Sequence, residues 1–259
     1  MSTSTEANTN YFKFITQRGR VVAQHLTLER DLVLSKIAAD YDQLFSKCLD
    51  ALKIELRAHT DFIGIKKGGR LLDYACGTGF ISISLSDAIG QAVGVDITEN
   101  MVGAYNAKAV SAKVPEDKRR AYLGDLLSTP PSASLDGQLF HGFDVAGVGM
   151  GFHHFEDTTL AAARLAGRLA AGGSLFVLDF LPHSAEPHHG GLLAERGVHH
   201  LGFDEERIRK LFKAAGAAGD FRYKELNTVI EIEDKPVQGQ TMRRRLFLAR
   251  GTKTAEGHM

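Results

Sequence analysis

The sequence predicts an α/β fold: a mostly parallel sheet of seven strands, the last antiparallel, with helices on both faces. Three observations carry this reading. From Arg70 to Phe180, short apolar runs of strand length alternate with segments whose apolar residues recur at helical spacing. Glycines, prolines and aspartates punctuate the junctions between them. After Pro182, an amphipathic helix is followed by two longer runs of strand character. Alternation at this spacing implies βαβ units, and hence parallel strands covered on both sides.

Each element has a local reason. Asp40 to Leu56 is helical in pattern, with Phe45, Cys48, Leu49, Leu52 and Leu56 on one face. Gly68-Gly69 breaks the chain before Leu71-Leu72-Asp73, a short buried strand. A glycine turn leads into a helix over Phe80 to Ile89, and Ala92 to Asp96 is the second strand. The helix from Glu99 to Ala112 puts Met101, Ala104, Tyr105 and Ala109 on one face, and Pro115 blocks its continuation. Ala121 to Leu123 is the third strand. Pro130-Pro131 marks Ser128 to Gly142 as a loop. Phe143 to Val148 is the fourth strand. Asp157 caps a helix with Ala162, Leu165, Ala166 and Leu169 inward, and Gly172-Gly173 ends it. Ser174 to Phe180 is the fifth strand. Asp204 to Ala215 is the amphipathic helix, with Ile208, Leu211, Phe212 and Ala215 inward and Gly216 at its end. Phe221 to Ile232 and Met242 to Ala249 are the last strands, turning near Pro236 and Gly239.

Composition narrows the function classes. A chain of 259 residues holds one sizeable domain with appendages: a tail and possible insertion over 1–35, the domain over 36–251, and a tail over 252–259. Lys+Arg and Asp+Glu both total 31, so charge gives no reason to expect nucleic acid or an anionic membrane as partner. No apolar run reaches the ~18 residues of a membrane span. Met1 to Asn10 is polar and lacks the apolar core of a signal peptide. Cys48 and Cys76 alone make no disulfide framework and no zinc-type spacing. These features point to a soluble, cytoplasmic protein with no metal site; oligomeric state is left open.

The chemistry concentrates at strand ends. In Asp73-Tyr74-Ala75-Cys76-Gly77-Thr78-Gly79, glycines after a buried strand let the backbone turn tightly and approach a ligand. A turn of this kind also occurs without a ligand. Gly-x-x-x-x-Gly-Lys-Ser/Thr is absent, and Ser82 holds the place of a third dinucleotide-loop glycine. Asp96 ends the second strand, where an acid can accept both ribose hydroxyls of a nucleoside or cap the next helix. Asp125 ends the third, where a carboxylate can accept from an adenine amino group while a neighbouring backbone N–H reaches a ring nitrogen. Three strand-end acids in order favour a nucleoside site over three structural turns.

The run Leu71-Leu72-Asp73 through Ala75-Cys76-Gly77-Thr78-Gly79 resembles motif I of the class I S-adenosylmethionine-dependent methyltransferases. Val93-Gly94-Val95-Asp96-Ile97-Thr98, with Asn100-Met101, is similar to their second motif and Gly124-Asp125-Leu126 to the third. Phe143-Asp144-Val145 through Gly151-Phe152-His153-His154-Phe155 resembles the fourth, and Gly172-Gly173-Ser174-Leu175 the fifth. The likeness spans roughly Tyr41 to Phe180. It is nearest to the ubiquinone/menaquinone-biosynthesis branch, and within it to fungal small-molecule methyltransferases, some relatives of which methylate thiols of redox-active metabolites. The resemblance implies a Rossmann-like fold with S-adenosyl-L-methionine as cofactor. It places Asp73, Ala75, Gly77 and Gly79 at the amino-acid half of the cofactor. Asp96, Ile97 and Met101 fall at the ribose, and Gly124, Asp125 and Leu126 at the adenine. Val148 and Tyr41 are further contacts, Tyr41 covering the cofactor from the N-terminal side. Ala75 departs from the family by replacing its first glycine, and residues 13–35 intervene where relatives run almost directly from a segment like Asn10-Tyr11-Phe12 to one like Lys36-Ile37-Ala38.

On the acceptor side, His153-His154 follows the fourth strand, where a neutral imidazole can take a proton; it can equally be a polar packing residue. Methyl transfer makes a weak demand for a base, because alignment supplies much of the barrier reduction. Tyr11, Phe152, His199 and His200 are the candidate acceptor contacts. His183, His188 and His189 read as a solvated loop, since no cysteine stands near enough for zinc. In Arg243-Arg244-Arg245, strand alternation sends only part of the charge to one face. Two other readings stay open: a nicotinamide-dependent oxidoreductase, and a non-catalytic module that keeps the fold as a partner subunit.

Overall fold

A computed structural model describes residues 45–184, 197–233 and 241–254. Its sheet has seven strands in the order β3-β2-β1-β4-β5-β7-β6. These are β1 Gly69–Tyr74, β2 Ile89–Asp96, β3 Arg119–Leu123, β4 Phe143–Gly149, β5 Leu169–Phe180, β6 Gly219–Glu233 and β7 Thr241–Thr252. The first five pair in parallel, and β7 runs antiparallel between β5 and β6. The helices are α1 Ser46–Ala58, α2 Phe80–Ser84, α3 Glu99–Ser111, α4 Thr158–Arg168 and α5 Glu205–Ala214. The predicted fold class is the observed one.

Strand alternation divides the core into two layers. Leu71, Val145, Phe176, Leu178, Leu246 and Leu248 face Leu52 and Leu56 of α1 and Ile81 of α2. Their neighbours Leu72, Ala146, Leu175, Val177, Phe247 and Ala249 face Ala162 and Leu165 of α4 and Ile208 and Phe212 of α5. A one-residue shift in any strand would exchange the two sets, so the pattern fixes the register. Asp157 caps α4 as expected, its carboxylate accepting from Leu160 N–H at 2.8 Å, and Asp204 caps α5 in the same way through Arg207 N–H. Each such cap is worth about 1 kcal/mol. Arg244 is buried, while Arg243 and Arg245 point outward to Glu231 and Glu225. Among the described residues no helix is long and apolar enough to cross a membrane.

Three boundaries differ from expectation. Helix α2 stops at Ser84 instead of reaching Ile89, which opens β2. Serine hydroxyls compete there for the helical carbonyls: Ser84 donates to Phe80 O and Ser86 to Ile83 O. Gly172-Gly173 lies inside β5 and does not end α4. The helix terminates at Arg168, and Leu169 is extended and pairs with Phe143. A Cβ on Gly173 would stand 2.8 Å from Phe143 O, so the glycine permits close strand approach. At the C-terminal end β7 takes in Thr252, and Lys253 N–H donates to Gly173 O at 2.8 Å. The expected insertion over residues 13–35, the contacts Tyr11 and Tyr41, His188 and His189, and the turn at Pro236 and Gly239 lie outside the described residues.

Candidate active site

The sheet order reverses between β1 and β4, so their C-terminal ends open the crevice where α/β sheets bind ligands. The glycine loop leaves β1 with Ala75 at φ 53°, Gly77 at 51° and Gly79 at 93°. Ala75 therefore occupies a left-handed position where a side chain costs on the order of 1 kcal/mol. Gly79 has no room for a Cβ, which would fall 2.7 Å from the Tyr105 ring. Gly77 is the opposite case: a Cβ there would meet nothing within 4 Å. The loop thus presents bare backbone to open space, as a ligand cradle must.

Each acid at the strand ends is bound by its own surroundings. The buried Asp73 carboxylate accepts from Ser82 N–H at 3.1 Å and from the Ser82 hydroxyl at 2.6 Å. Ser82, fully buried, therefore ties the start of α2 to β1 in the place a dinucleotide loop gives to glycine. Burial pushes the Asp73 carboxyl up to about 7 despite these donors. Asp96 accepts from Gly77 N–H at 3.0 Å and Thr98 N–H at 2.9 Å, so one carboxylate joins the glycine loop to the end of β2. Burial raises its pKa too. Ile97 lies beside Asp96 half-buried, with Met101 buried below.

At β3, Asp125 accepts from Leu127 N–H at 2.7 Å and from the Tyr74 hydroxyl at 3.2 Å. Leu126 N–H, expected at a ring nitrogen, instead donates to the Tyr74 oxygen at 3.2 Å. Tyr74 is thus a site residue that sequence reasoning missed. Its place inside the glycine motif was the available signal: a tyrosine at the end of a buried strand needs a polar partner. Gly124 is required by packing, since a Cβ would meet Leu135 at 2.8 Å. Val148 is fully buried in the core layer under α4.

The acceptor side sorts into working and supporting residues. The turn after β4 lies against the glycine loop, and a Cβ on Gly151 would be 3.2 Å from that of Ala75. His153 is buried, and its Nδ1 stands 2.7 Å from Asp179 Oδ1 at the end of β5. The His154 ring lies tilted against His153 with centroids 4.2 Å apart and donates from Nδ1 to Gly197 O at 3.1 Å. Burial and the adjacent His153 push the His154 pKa down to about 3. Burial thus favours its neutral form, with Nδ1 turned to Gly197 O. The Phe152 ring is fully buried and packs edge-on against Phe155 and Phe203. His200 Nδ1 faces Arg207 Nη2 at 2.9 Å, and its ring packs on Phe203. His199 is exposed, and its N–H donates to His153 O at 3.0 Å. Among the described residues no group of three His, Cys, Asp or Glu could hold a metal.

A family model described as a methyltransferase domain matches residues 46–219. The chain belongs to the class I S-adenosylmethionine-dependent methyltransferases. An uncharacterized methyltransferase of Schizosaccharomyces pombe is 35% identical over 159 residues, which are 58% of this chain and 54% of that one. A demethylmenaquinone methyltransferase of Staphylococcus aureus is 26% identical over 151 residues, 57% of this chain and 58% of the relative. The methyltransferase chain thus spans little more than half the length of these relatives. Among solved structures, the magnesium protoporphyrin IX methyltransferase of Synechocystis with bound S-adenosylhomocysteine superposes with a TM-score of 0.57. It is 19% identical, over 96% of this chain and 100% of that one. A phosphoethanolamine N-methyltransferase of Haemonchus contortus gives 0.61 at 16% identity, over 94% of this chain and 60% of that one. At these identities the likeness is one of fold.

Proposed function

We propose that this protein transfers the methyl group of S-adenosyl-L-methionine to a small organic acceptor. The observation that carries the reading is Asp96: its carboxylate is fixed by Gly77 N–H beside a loop whose outer face is open. Gly77 and Gly79 hold the amino-acid half, Asp96 the ribose, and Asp125 with the backbone of Leu126 the adenine. The cofactor supplies an activated methyl group, so the residues bind, orient and exclude water. His153, two residues beyond the Gly151 that faces Ala75, is the group assigned to the acceptor side. Support for a small acceptor comes from the relatives, whose names include a demethylmenaquinone and a protoporphyrin methyltransferase.

A ligand that binds only the folded state raises the melting temperature. S-adenosylhomocysteine is expected to do so and NADH is not. No shift at millimolar S-adenosylhomocysteine sinks the methyltransferase reading, and a shift with NADH alone favours the oxidoreductase. Release of S-adenosylhomocysteine with a panel of thiols, phenols, amines and quinols identifies the acceptor and separates an enzyme from a silent binding module.

A further inference from the structure

The contacts of His153 are more specific than a packing residue requires. The chain reverses over 26 residues from the turn after β4 to bring His153 onto Asp179, the penultimate residue of β5. Asp179 is fully buried, and its Oδ1 lies 2.7 Å from His153 Nδ1. Its Oδ2 accepts from the backbone N–H of the same histidine at 3.1 Å, and its Oδ1 also accepts from its own neighbour, Phe180 N–H, at 2.7 Å. One carboxylate therefore grips both ends of a single histidine. Burial opposes its charge, but the His153 ring and these N–H donors outweigh burial and hold Asp179 below the usual carboxylate range. A carboxylate at Nδ1 makes that nitrogen the donor, which leaves Nε2 of a neutral ring with a bare lone pair.

The ring is also held against rotation. His154 lies tilted against it at 4.2 Å and Phe180 at 4.8 Å. The His153 carbonyl takes the N–H groups of His199 and His200 at 3.0 and 3.1 Å, which locks the backbone of the turn. Among the described residues no hydrogen bond is made at Nε2, and the His153 side chain keeps 8% of its surface accessible. A histidine kept only for packing does not need a buried carboxylate, and burying one without purpose is costly.

We propose that Asp179 is the positioning residue for His153, holding its imidazole as the Nδ1–H tautomer so that Nε2 takes the proton of a neutral, phenol-class hydroxyl acceptor. The inference rests on the methyltransferase reading above. In the step, the acceptor O–H bond breaks with its pair left on oxygen, and the proton passes to His153 Nε2. The oxygen pair forms the new bond to the methyl carbon as the carbon–sulfur pair leaves to sulfur. The resulting imidazolium faces Asp179 and afterwards releases its proton to solvent. A thiol, with a pKa of ~8.5, ionises readily without such a device, so a preset base favours the less acidic hydroxyl.

The first test needs no acceptor. Ring-nitrogen NMR of the full chain labelled with 15N-histidine, assigned with His153→Ala, is expected to show His153 protonated at Nδ1 and bare at Nε2. In Asp179→Asn the amide can donate to Nδ1, and the signature is expected to move to the Nε2–H tautomer. A wild-type His153 protonated at Nε2 alone, or a tautomer unchanged in Asp179→Asn, overturns the proposal. The second test measures S-adenosylhomocysteine release with catechol, hydroquinone and thiophenol, beside S-adenosylhomocysteine affinity by calorimetry. Asp179→Asn is expected to lower kcat for the hydroxyl probes on the order of 100-fold, with KM and S-adenosylhomocysteine affinity within about threefold. Turnover of thiophenol but of neither hydroxyl probe, or an Asp179→Asn protein as fast as wild type on hydroxyls, overturns it. Failure of the wild type to bind S-adenosylhomocysteine would instead remove the methyltransferase reading, while the tautomer experiment judged the pair on its own.

Discussion

The two halves of the crevice are built on different principles. At the ends of β1, β2 and β3, each acid accepts a backbone N–H from two to nine residues further along, Asp73 from Ser82, Asp96 from Thr98 and Asp125 from Leu127, with Gly77 N–H added at Asp96 and the Tyr74 hydroxyl reaching Asp125 across the sheet. At the ends of β4 and β5 the proposed pair, His153 and Asp179, stands at opposite ends of one β4–α4–β5 unit, 26 residues apart, and meets only when β5 has paired beside β4. The first half is a set of motifs that fold locally around backbone N–H groups. The second is a contact made by topology. A nucleoside donor shared by a whole family suits the first arrangement, and an acceptor peculiar to each enzyme suits the second.

The contrast is sharpest in binding. Asp96→Ala removes the carboxylate proposed for the ribose and also the partner of Gly77 N–H. Charge-assisted hydrogen bonds contribute about 1.5–3 kcal/mol each, so S-adenosylhomocysteine affinity is expected to fall on the order of 100-fold. His153→Ala touches only the acceptor half and is expected to leave that affinity within about threefold. Calorimetry on the two variants decides it. The reverse ranking would erase the distinction between the halves.

That same distinction decides what was legible in the sequence. Strand ends and their acids were readable because glycine turns and apolar runs are local signals, and strand–helix alternation implied a sheet covered on both faces. Asp179 was passed over because it looks like one more strand residue in Leu178-Asp179-Phe180, and its partner is 26 residues away. Ser82 was read as a missing glycine, although a hydroxyl three residues after Gly79 is what a buried Asp73 needs. The early end of α2 was hidden for a similar reason: helical spacing continues through Ile89, while serine hydroxyls withdraw the carbonyls.

The halves also titrate in opposite senses. Asp73 has its folded pKa raised to about 7 from 3.8. Between those values the folded chain keeps a proton that the unfolded chain has lost, so this residue's stabilisation is full below about pH 4 and is lost as pH rises to 7. His154 has its folded pKa lowered to about 3 from 6.5. Its stabilisation is present above pH 6.5 and is lost as pH falls, because the unfolded chain takes up a proton that the folded one refuses. Linkage limits each effect to about 1.4 kcal/mol per pH unit, a few degrees of melting temperature. Asp73→Asn is expected to make the protein relatively more stable toward pH 7, and His154→Asn to make it relatively more stable toward pH 4.5. Melting curves from pH 4.5 to 7.5 read both slopes. If both variants tilt the profile the same way, the two regions are not electrostatically opposed.

The smallest expected effect probes the seam between the halves. Tyr74 lies in the glycine motif, yet its ring rests 5.7 Å from Phe155 beyond the His153 turn. Its hydroxyl accepts from Leu126 N–H, the donor proposed for adenine. Tyr74→Phe leaves that buried N–H without a partner, which costs the ligand-free protein about 1–2 kcal/mol. Adenine can then satisfy the same N–H, so part of the loss returns on binding. The variant is expected to melt a few degrees lower alone and to bind S-adenosylhomocysteine about threefold to tenfold more tightly. Weaker binding by Tyr74→Phe would mean that the hydroxyl holds Asp125 and Leu126 in place for the ligand, and that the seam belongs to the donor half.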